Sequence, residues 1–262
     1  NWVMALNIDN LIINRALSGS MIDRQTGEAL YSLNQITEPS LECTGEQVYT
    51  TDATGVKVAA FDRSKEATLT GSNAFVNLGL AAAQFGSEKK IASSTAKIVV
   101  PVREVVTVNG NKATLANAPA ENTPVSVSVM TKDGGISTTL TKADAAGAGK
   151  FAITTKEISL HTDIEDGTQL VVLYKKQSEA AIQIENRADC FAKGGEFWLE
   201  VLFVDPCDTN VEYHGFLVFP NAKMSNETTI DFNNEATHGF TIEAMQDYCD
   251  TEKKLFYIVV SE

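Results

Sequence analysis

The sequence contains few of the residues on which metal and disulfide chemistry depends. It has four cysteines and three histidines in 262 residues. Cys43, Cys190, Cys207 and Cys249 form neither a CxxC pair nor a cluster with histidine at zinc-finger spacing. A chain of this length buries enough core to fold without disulfides, so we expect reduced cysteines in a protein assembled in a cytosol.

Long apolar runs are also missing. No run approaches the ~20 residues that a membrane-crossing helix needs, and segments such as Phe197–Val204 have the length of a strand. Residues 1–10 contain no basic stretch followed by an apolar run, so we expect no secretory signal. The sequence therefore predicts no membrane partner.

The short motifs of common active sites are absent, including HExxH, GxSxG, the P-loop and the dinucleotide fingerprint. His214 and His238 would need a carboxylate such as Glu243 to act as an acid–base pair. Asp205–Asp208 offers two carboxylates and a thiolate to a metal. Ordinary histidines on a β-protein and a strand that ends in a proline turn explain both patterns more simply. We therefore predict no enzyme, no cofactor and no metal site.

Negative charge is concentrated near the end of the chain. The net charge is −13, and residues 177–262 alone contain sixteen acidic and five basic side chains. Such a surface repels a phosphate backbone, which argues against ordinary nucleic-acid binding. The same acidity would also serve simply to keep the protein soluble.

Most of the chain shows the two-residue alternation of β-strands. Val125–Val129 and Ile136–Leu140 alternate on either side of the turn signal Lys132–Gly135, and Asn109-Gly110 indicates a second hairpin. Closely spaced short strands of this kind predict an inserted small β-sandwich (Ig-like) module over residues 105–176.

One helix stands out in the pattern. Ser72 is a suitable N-cap, Asn73–Phe85 is apolar almost all round, and Gly86 is placed as a C-cap. A helix so apolar must be covered on more than one side.

These patterns predict a mainly β protein with a β-barrel or sandwich core, one flanking α-helix and the inserted module. The core domain is expected to be discontinuous, over residues 37–104 and 177–262. Residues 1–36 show weak periodicity and are expected to form an N-terminal arm that is ordered only where it docks.

Two blocks of the sequence share a pattern with a known family. Their segments are Thr51–Lys65, Ala67–Ala74 and Leu80–Gly86 in the first block, and Phe219–Ser225, Thr229–Phe232 and His238–Ala244 in the second. These blocks resemble the tail tube proteins of tailed bacteriophages. The module between them is similar to the variable insertions of that family.

The resemblance implies a structural virion protein of the phage tail. Tube proteins form hexameric rings that stack into a tube, and DNA passes through the lumen during genome ejection without specific binding. The implied partners are copies of the same chain and the sheath, baseplate and tail terminator proteins. The implied place of assembly is the cytoplasm of the host bacterium.

Contacts between copies are expected in three parts of the chain. The arm and the segment Thr37–Thr51, interpreted as a loop, are candidates for contacts between rings, and the helix is expected to pack outside the barrel. The candidate subunit-interface residues are Phe75, Leu78, Phe85, Tyr49 and Leu41.

A lumen lined with carboxylates would repel DNA and let it slide. Only one face of each strand can point inward, and alternation alone does not say which. The candidate lumen-facing residues are Glu196, Glu200, Asp231, Glu235 and Glu243.

Two alternatives remain open from the sequence. One is another phage structural protein, such as a capsid decoration or a fibre-attached Ig-like protein. The other is a carbohydrate-binding β-sandwich, which usually presents clustered aromatic residues, whereas the two tryptophans here are far apart in sequence.

Overall fold

The computed structural model describes residues 9–233, 235 and 237–261. Strands make up 54% of the described residues and a short helix 3%, which confirms the mainly β class expected from the sequence. In chain order the elements are β1 (Ile12–Ile22), β2 (Ala29–Leu33), β3 (Ile36–Thr51), β4 (Lys57–Asn73), α1 (Leu78–Gln84), β5 (Lys90–Ile91), β6 (Ile98–Thr107), β7 (Lys112–Thr114), β8 (Ser126–Met130), β9 (Ile136–Lys142), β10 (Lys150–Thr154), β11 (Glu157–Leu160), β12 (Gln169–Ser178), β13 (Ile182–Gln183), β14 (Gly194–Val204), β15 (Glu212–Met224), β16 (His238–Ala244) and β17 (Tyr257–Ser261).

The chain divides into two compact units. Unit 1 consists of the described residues of Asn1–Lys89 and Ile184–Glu262, and unit 2 consists of Lys90–Gln183. The inserted module expected from the sequence, residues 105–176, lies within unit 2. Residues 1–8 of the expected N-terminal arm, 1–36, lie outside the described residues, whereas β1 and β2 are strands of unit 1. The domain borders drawn from the sequence stay predictions.

Unit 1 is built on one antiparallel sheet that curls. Its strand order is β2-β1-β14-β15-β16-β4-β3, and β17 also pairs with β15. Although β1 and β3 are far apart in this order, a Cβ added to Gly19 would lie 2.7 Å from the Cδ1 atom of Ile36. The sheet therefore bends until its two ends approach each other around an interior.

Alternating side chains fill that interior. Phe197, Leu199 and Val201 of β14 are buried, and Trp198 between them is 39% exposed. The ring centroid of Phe197 lies 6.3 Å from that of Phe219 on β15 and 6.3 Å from that of Phe240 on β16. Burying each such side chain contributes about 1.5–3 kcal/mol to the free energy of unfolding. This aromatic cluster is thus the centre of the unit 1 core.

The helix is shorter than the sequence pattern predicts, and its predicted N-cap is wrong. Helix α1 begins after Asn77, whose side-chain oxygen accepts a hydrogen bond from the backbone N–H of Leu80 at 2.9 Å. Ser72 instead lies in β4 and pairs with Gly239 and Thr37. Strand pairing on both sides outweighs the local preference of Ser72 for a helix terminus. Gly86, with φ +67°, follows the helix end as expected.

The segment Thr37–Thr51, interpreted from the sequence as a loop, is a strand. It forms most of β3 and pairs with β4 from Ile36↔Asn73 to Thr51↔Lys57. Its residues are mostly polar and exposed, so they lack the alternation by which a half-buried strand is recognised. The pairing with β4, which no local pattern reveals, makes this segment a strand.

Unit 2 forms a seven-stranded sheet around its own core. The strand order is β6-β12-β8-β9-β10-β11-β7, with β9 and β10 parallel. The predicted hairpin of Val125–Val129 with Ile136–Leu140 is confirmed by β8 and β9. Phe151, Val127 and Leu170 are fully buried at its centre. A two-stranded sheet of β5 and β13 brings together the two ends of this unit.

Candidate subunit interfaces

The histidines lie in three different environments. His161 contacts Asp163 on the surface of unit 2, and His214 lies 3.4 Å from Glu200 in unit 1. His238 is buried. Among the described residues, no group of three or more histidine, cysteine, aspartate or glutamate side chains could hold a metal ion. In that same part of the chain, no helix is long and apolar enough to cross a membrane.

His238 has a structural role in unit 1. Its Nδ1 atom accepts a hydrogen bond from the backbone N–H of Asn77 at 3.2 Å, and its Nε2 atom lies 2.7 Å from Oε1 of Gln84. The side-chain amide of Gln84 also donates to the backbone carbonyl of Gly239. Burial lowers the pKa of His238 from its ordinary value. A neutral imidazole therefore fixes both ends of α1 to the start of β16.

The hairpin of β3 and β4 is the longest pair of strands in unit 1. Its turn is closed by Asp52, whose Oδ1 atom accepts hydrogen bonds from the backbone N–H groups of Thr54 and Val56. A hydrogen bond from the Thr54 hydroxyl group, together with those from the backbone, holds the pKa of Asp52 below its ordinary value. Such local bonds fix the turn without any help from a core.

The outer part of this hairpin, residues 42–66, is uncovered on both faces. Every residue in it is exposed except Ala59, which is partly buried. Val48 and Phe61 are cross-strand partners on one face, and Phe61 is 55% exposed. Tyr49 lies on the other face, where the ammonium group of Lys57 sits 3.5 Å from its ring centroid. Apolar side chains on a strand pair without a core are typical of an interaction surface.

The structure places the predicted interface residues in different environments. Tyr49 lies on the exposed hairpin, and Phe75 (64% exposed) and Leu78 lie on the surface just before and at the start of α1. Phe85, at the end of that helix, is partly buried. Leu41 packs against the unit 1 core instead. The prediction that all five contact other copies stays a prediction.

Leu41 lines an apolar cavity of about 240 Å³ within the curled sheet. Ile13, Phe203 and Ile258 are also part of its wall, and Ile258 belongs to β17. In the described residues β17 is paired on one side only, with β15. Tyr257, like Ile258, is exposed there. An apolar strand with an open edge offers free backbone groups to another chain.

Three of the five predicted acidic residues lie on one face of the unit 1 sheet. Phe197 and Leu199 point into the core, so Glu196 and Glu200 lie on the opposite face of β14. The hydroxyl group of Ser18 on β1 donates to Glu200 at 2.8 Å. Glu243 lies on the same face because its neighbour Ile242 is buried in the core.

Sequence reasoning missed two further carboxylates on this face. Glu42 pairs with Thr68, which also pairs with Glu243. Glu66 lies two residues before Thr68 on the same strand and therefore points the same way. The sequence signal was the partly buried Leu41 and the buried Leu69 beside them, which can be recognised only once the strand register is known. We call Glu42, Glu66, Glu196, Glu200 and Glu243 the acidic face.

The other two predicted acidic residues are not on this sheet. Asp231 and Glu235 lie in the connection between β15 and β16, and both are exposed. Phe232 beside them is 92% exposed, the largest exposure of any large apolar side chain among the described residues. Sequence reasoning gave Phe232 no role beyond the resemblance to tube proteins.

Comparison with known proteins identifies a family for this chain. A family model described as the YomU/Tube protein family matches residues 12–258, which span both units. No curated protein matches the chain. The match confirms the resemblance to tail tube proteins that the two sequence blocks showed. The chain belongs to the YomU/Tube protein family.

Proposed function

We propose that this protein is a structural subunit of a bacteriophage tail tube. Copies of it assemble into hexameric rings, and the stacked rings enclose the channel through which DNA passes during genome ejection. The observation that carries the proposal is the uncovered hairpin of β3 and β4, whose outer residues 42–66 find no core within the described chain. The family match supports the same conclusion.

The hairpin supplies a physical reason to assemble. Val48, Val58 and Phe61 remain exposed to water in the single chain. Covering them with another copy would stabilise the assembly by about 25 cal/mol for each Å² of apolar surface buried. The open edge of β17 adds unpaired backbone groups, which a neighbouring strand would satisfy. We propose that each contact joins one of these features to a different patch on the next copy, an arrangement that closes into a ring or continues as a stack.

The acidic face suits the wall of a DNA channel. Its five carboxylates lie on the side of the sheet opposite the core, where Glu42, Glu66 and Glu243 are exposed and Glu196 and Glu200 are partly buried. We propose that this face lines the lumen, where negative charge prevents DNA from adhering. Asp231 and Glu235 lie off this face and are not included in this proposal, and their placement in the lumen stays a prediction from the sequence.

A tube must begin and end, so we propose the baseplate and tail terminator proteins as further partners, and the sheath where the tail contracts. The protein would then reside in the virion and assemble in the cytoplasm of the host bacterium. No catalytic role is proposed, because the YomU/Tube protein family is structural.

The experiment is negative-stain imaging and mass measurement of the purified chain over a range of concentrations. We expect hollow rods whose mass per ring corresponds to six copies. The control is a variant in which residues 46–64 are replaced by Asn-Gly, a two-residue hairpin turn between the cross-strand partners Gly45 and Lys65. This variant should keep its fold and remain a single copy. Compact particles of one to three copies for the unaltered chain at every concentration would overturn the proposal.

A further inference from the structure

Unit 2 contains an apolar cleft that the proposed tube contacts do not use. The cleft has a volume of about 530 Å³ and lies beside β6, β8 and β12. Pro101, Pro124 and Leu173 are part of its lining, and Leu173 is exposed. A cleft of this size is within the range that binds a small ligand or one large side chain.

Two cations border the cleft on one face of the sheet. Arg103 pairs with Leu173 and Pro101 pairs with Lys175, so all four side chains lie on the same face of β6 and β12. Within the described chain, no carboxylate lies on this face of β6, β8 or β12. The strand registers define the positions on that face. Glu104 points to the other face, where its carboxylate accepts a hydrogen bond from the Tyr174 hydroxyl group. The cleft is therefore apolar at its centre and positive at its border.

Unit 1 carries a segment with the opposite character. Phe232 is 92% exposed and has Asp231 immediately before it and Glu235 three residues after it. Residues 224–252 contain seven acidic side chains and no lysine or arginine. A phenylalanine so exposed leaves nearly all of its apolar surface in water, and burial in a cleft removes that cost.

We propose that Phe232 of one copy inserts into the unit 2 cleft of a second copy, with Asp231 and Glu235 facing Arg103 and Lys175. The aromatic ring supplies the apolar anchor and the carboxylates match the two border cations. A second copy is favoured over an anionic polymer because the lining is apolar at its centre, which suits a side chain better than a phosphate or sugar chain. The proposal rests on the proposed function, since it assumes that copies assemble, and it names an additional contact within that assembly.

The test places the photo-crosslinking residue p-benzoylphenylalanine at position 232 of the full chain. Copies with this residue are mixed with isotopically heavy unaltered copies, assembled and irradiated. We expect cross-links from position 232 of light copies to heavy peptides that contain Pro101, Pro124 or Leu173. Cross-links confined to the same copy, or directed to other surfaces or to an added polyanion, would overturn the docking proposal even where hollow rods form. If no rods form, the proposed function fails, and the docking proposal is judged by whether this cross-link joins two copies in solution.

A charge exchange provides the second readout. The double change Arg103→Glu and Lys175→Glu in the heavy copies should lower the cross-link yield about tenfold, because it places like charges opposite each other. Adding Asp231→Lys and Glu235→Lys to the light copies should restore the yield. The matched control, Lys132→Glu with Lys150→Glu, makes the same change of charge in unit 2 outside the cleft and should leave the yield unchanged. Equal losses in both pairs would show that only net charge matters and would contradict the docking geometry.

Discussion

The two units differ in their net charge and in how far their edge strands are protected. Unit 1 contains 25 aspartates and glutamates against eleven lysines and arginines, a net charge of −14, whereas unit 2 has nine against ten, a net charge of +1. The edge strands of unit 2 are protected, because β6 carries Pro101 and β7 has three residues. Unit 1 leaves β17 and the outer hairpin open.

This difference indicates that the two units have different roles in assembly. A unit whose edge strands are protected and whose net charge is close to zero has less to gain from a neighbouring copy. A unit with long open strands and uncovered apolar side chains gains stability when copies cover them, and its negative charge limits association to contacts that are geometrically correct. The proposed tube contacts therefore belong to unit 1, and unit 2 contributes at most an additional docking cleft.

The largest expected effect comes from the hairpin. The double change Val48→Ser and Phe61→Ser removes apolar contacts between copies and should abolish hollow rods seen by negative-stain imaging. The free energy of unfolding of the single chain should change by no more than about 0.5 kcal/mol, because both side chains are at the surface. Ile136→Ser, at an exposed apolar position of unit 2, is the control and should leave the rods intact. Normal rods in the double variant would show that the apolar side chains of the hairpin are not needed for assembly. The proposed difference between the two units would then be wrong.

The next largest effect concerns the cores. Phe197→Ala should destabilise unit 1 by about 3–5 kcal/mol, because it leaves a cavity in the aromatic cluster. Phe151→Ala should do the same to unit 2. Denaturant unfolding followed by hydrogen exchange at individual residues would show which unit is affected. If either change lowered the protection of both units equally, the two cores would form one cooperative body.

Replacing one glycine in each unit by alanine should have a smaller effect on the free energy of unfolding. Gly86 and Gly167 both have positive φ, but a Cβ at Gly86 would lie 2.0 Å from the carbonyl oxygen of Phe191, whereas one at Gly167 meets open space. Gly86→Ala should therefore cost about 1–3 kcal/mol or more, and Gly167→Ala only about 1 kcal/mol. Thermal unfolding of the two variants provides the measurement. Equal costs would mean that backbone strain alone, without the contact to Phe191, sets the effect.

The smallest effect is the pH dependence of unit 1. Burial lowers the pKa of His238 in the folded state, so below its ordinary value of 6.5 the unfolded chain binds a proton that the folded chain does not. Stability should fall as pH drops below about 6.5, by at most about 1.4 kcal/mol per pH unit, and level off below the folded-state pKa. Denaturant titrations between pH 5 and 7 would measure this. His238→Gln should flatten the profile, and His161→Gln in unit 2 should preserve it.

The parts of the fold that were predicted correctly depend on local chemistry. The β8–β9 hairpin was recognised from alternation and from the turn Lys132–Gly135, and Gly86 was recognised as the residue that follows the helix. Each of these signals lies within a few residues of the feature that it specifies. The predictions for β3 and for the helix start were wrong because Thr37 and Ser72 pair with each other across the sheet.

The candidate surfaces show the same limit. Acidic residues were recognised by type, but the acidic face was only partly predicted, because Glu42 and Glu66 join Glu243 through strand register alone. Alternation assigns each side chain to one of two faces and does not say which face is the core.

The sequence by itself determined the mainly β class, the resemblance to tube proteins and the excess of negative charge, because composition and local periodicity are properties of short segments. The tertiary structure decided which carboxylates share a face, that residues 42–66 extend as an uncovered hairpin and that the unit 2 cleft exists. The shared face of the carboxylates and the cleft depend on strand pairs separated by many residues along the chain, whose pairing is fixed by the burial of a core. The exposure of residues 42–66 depends on the absence of any covering element among the described residues.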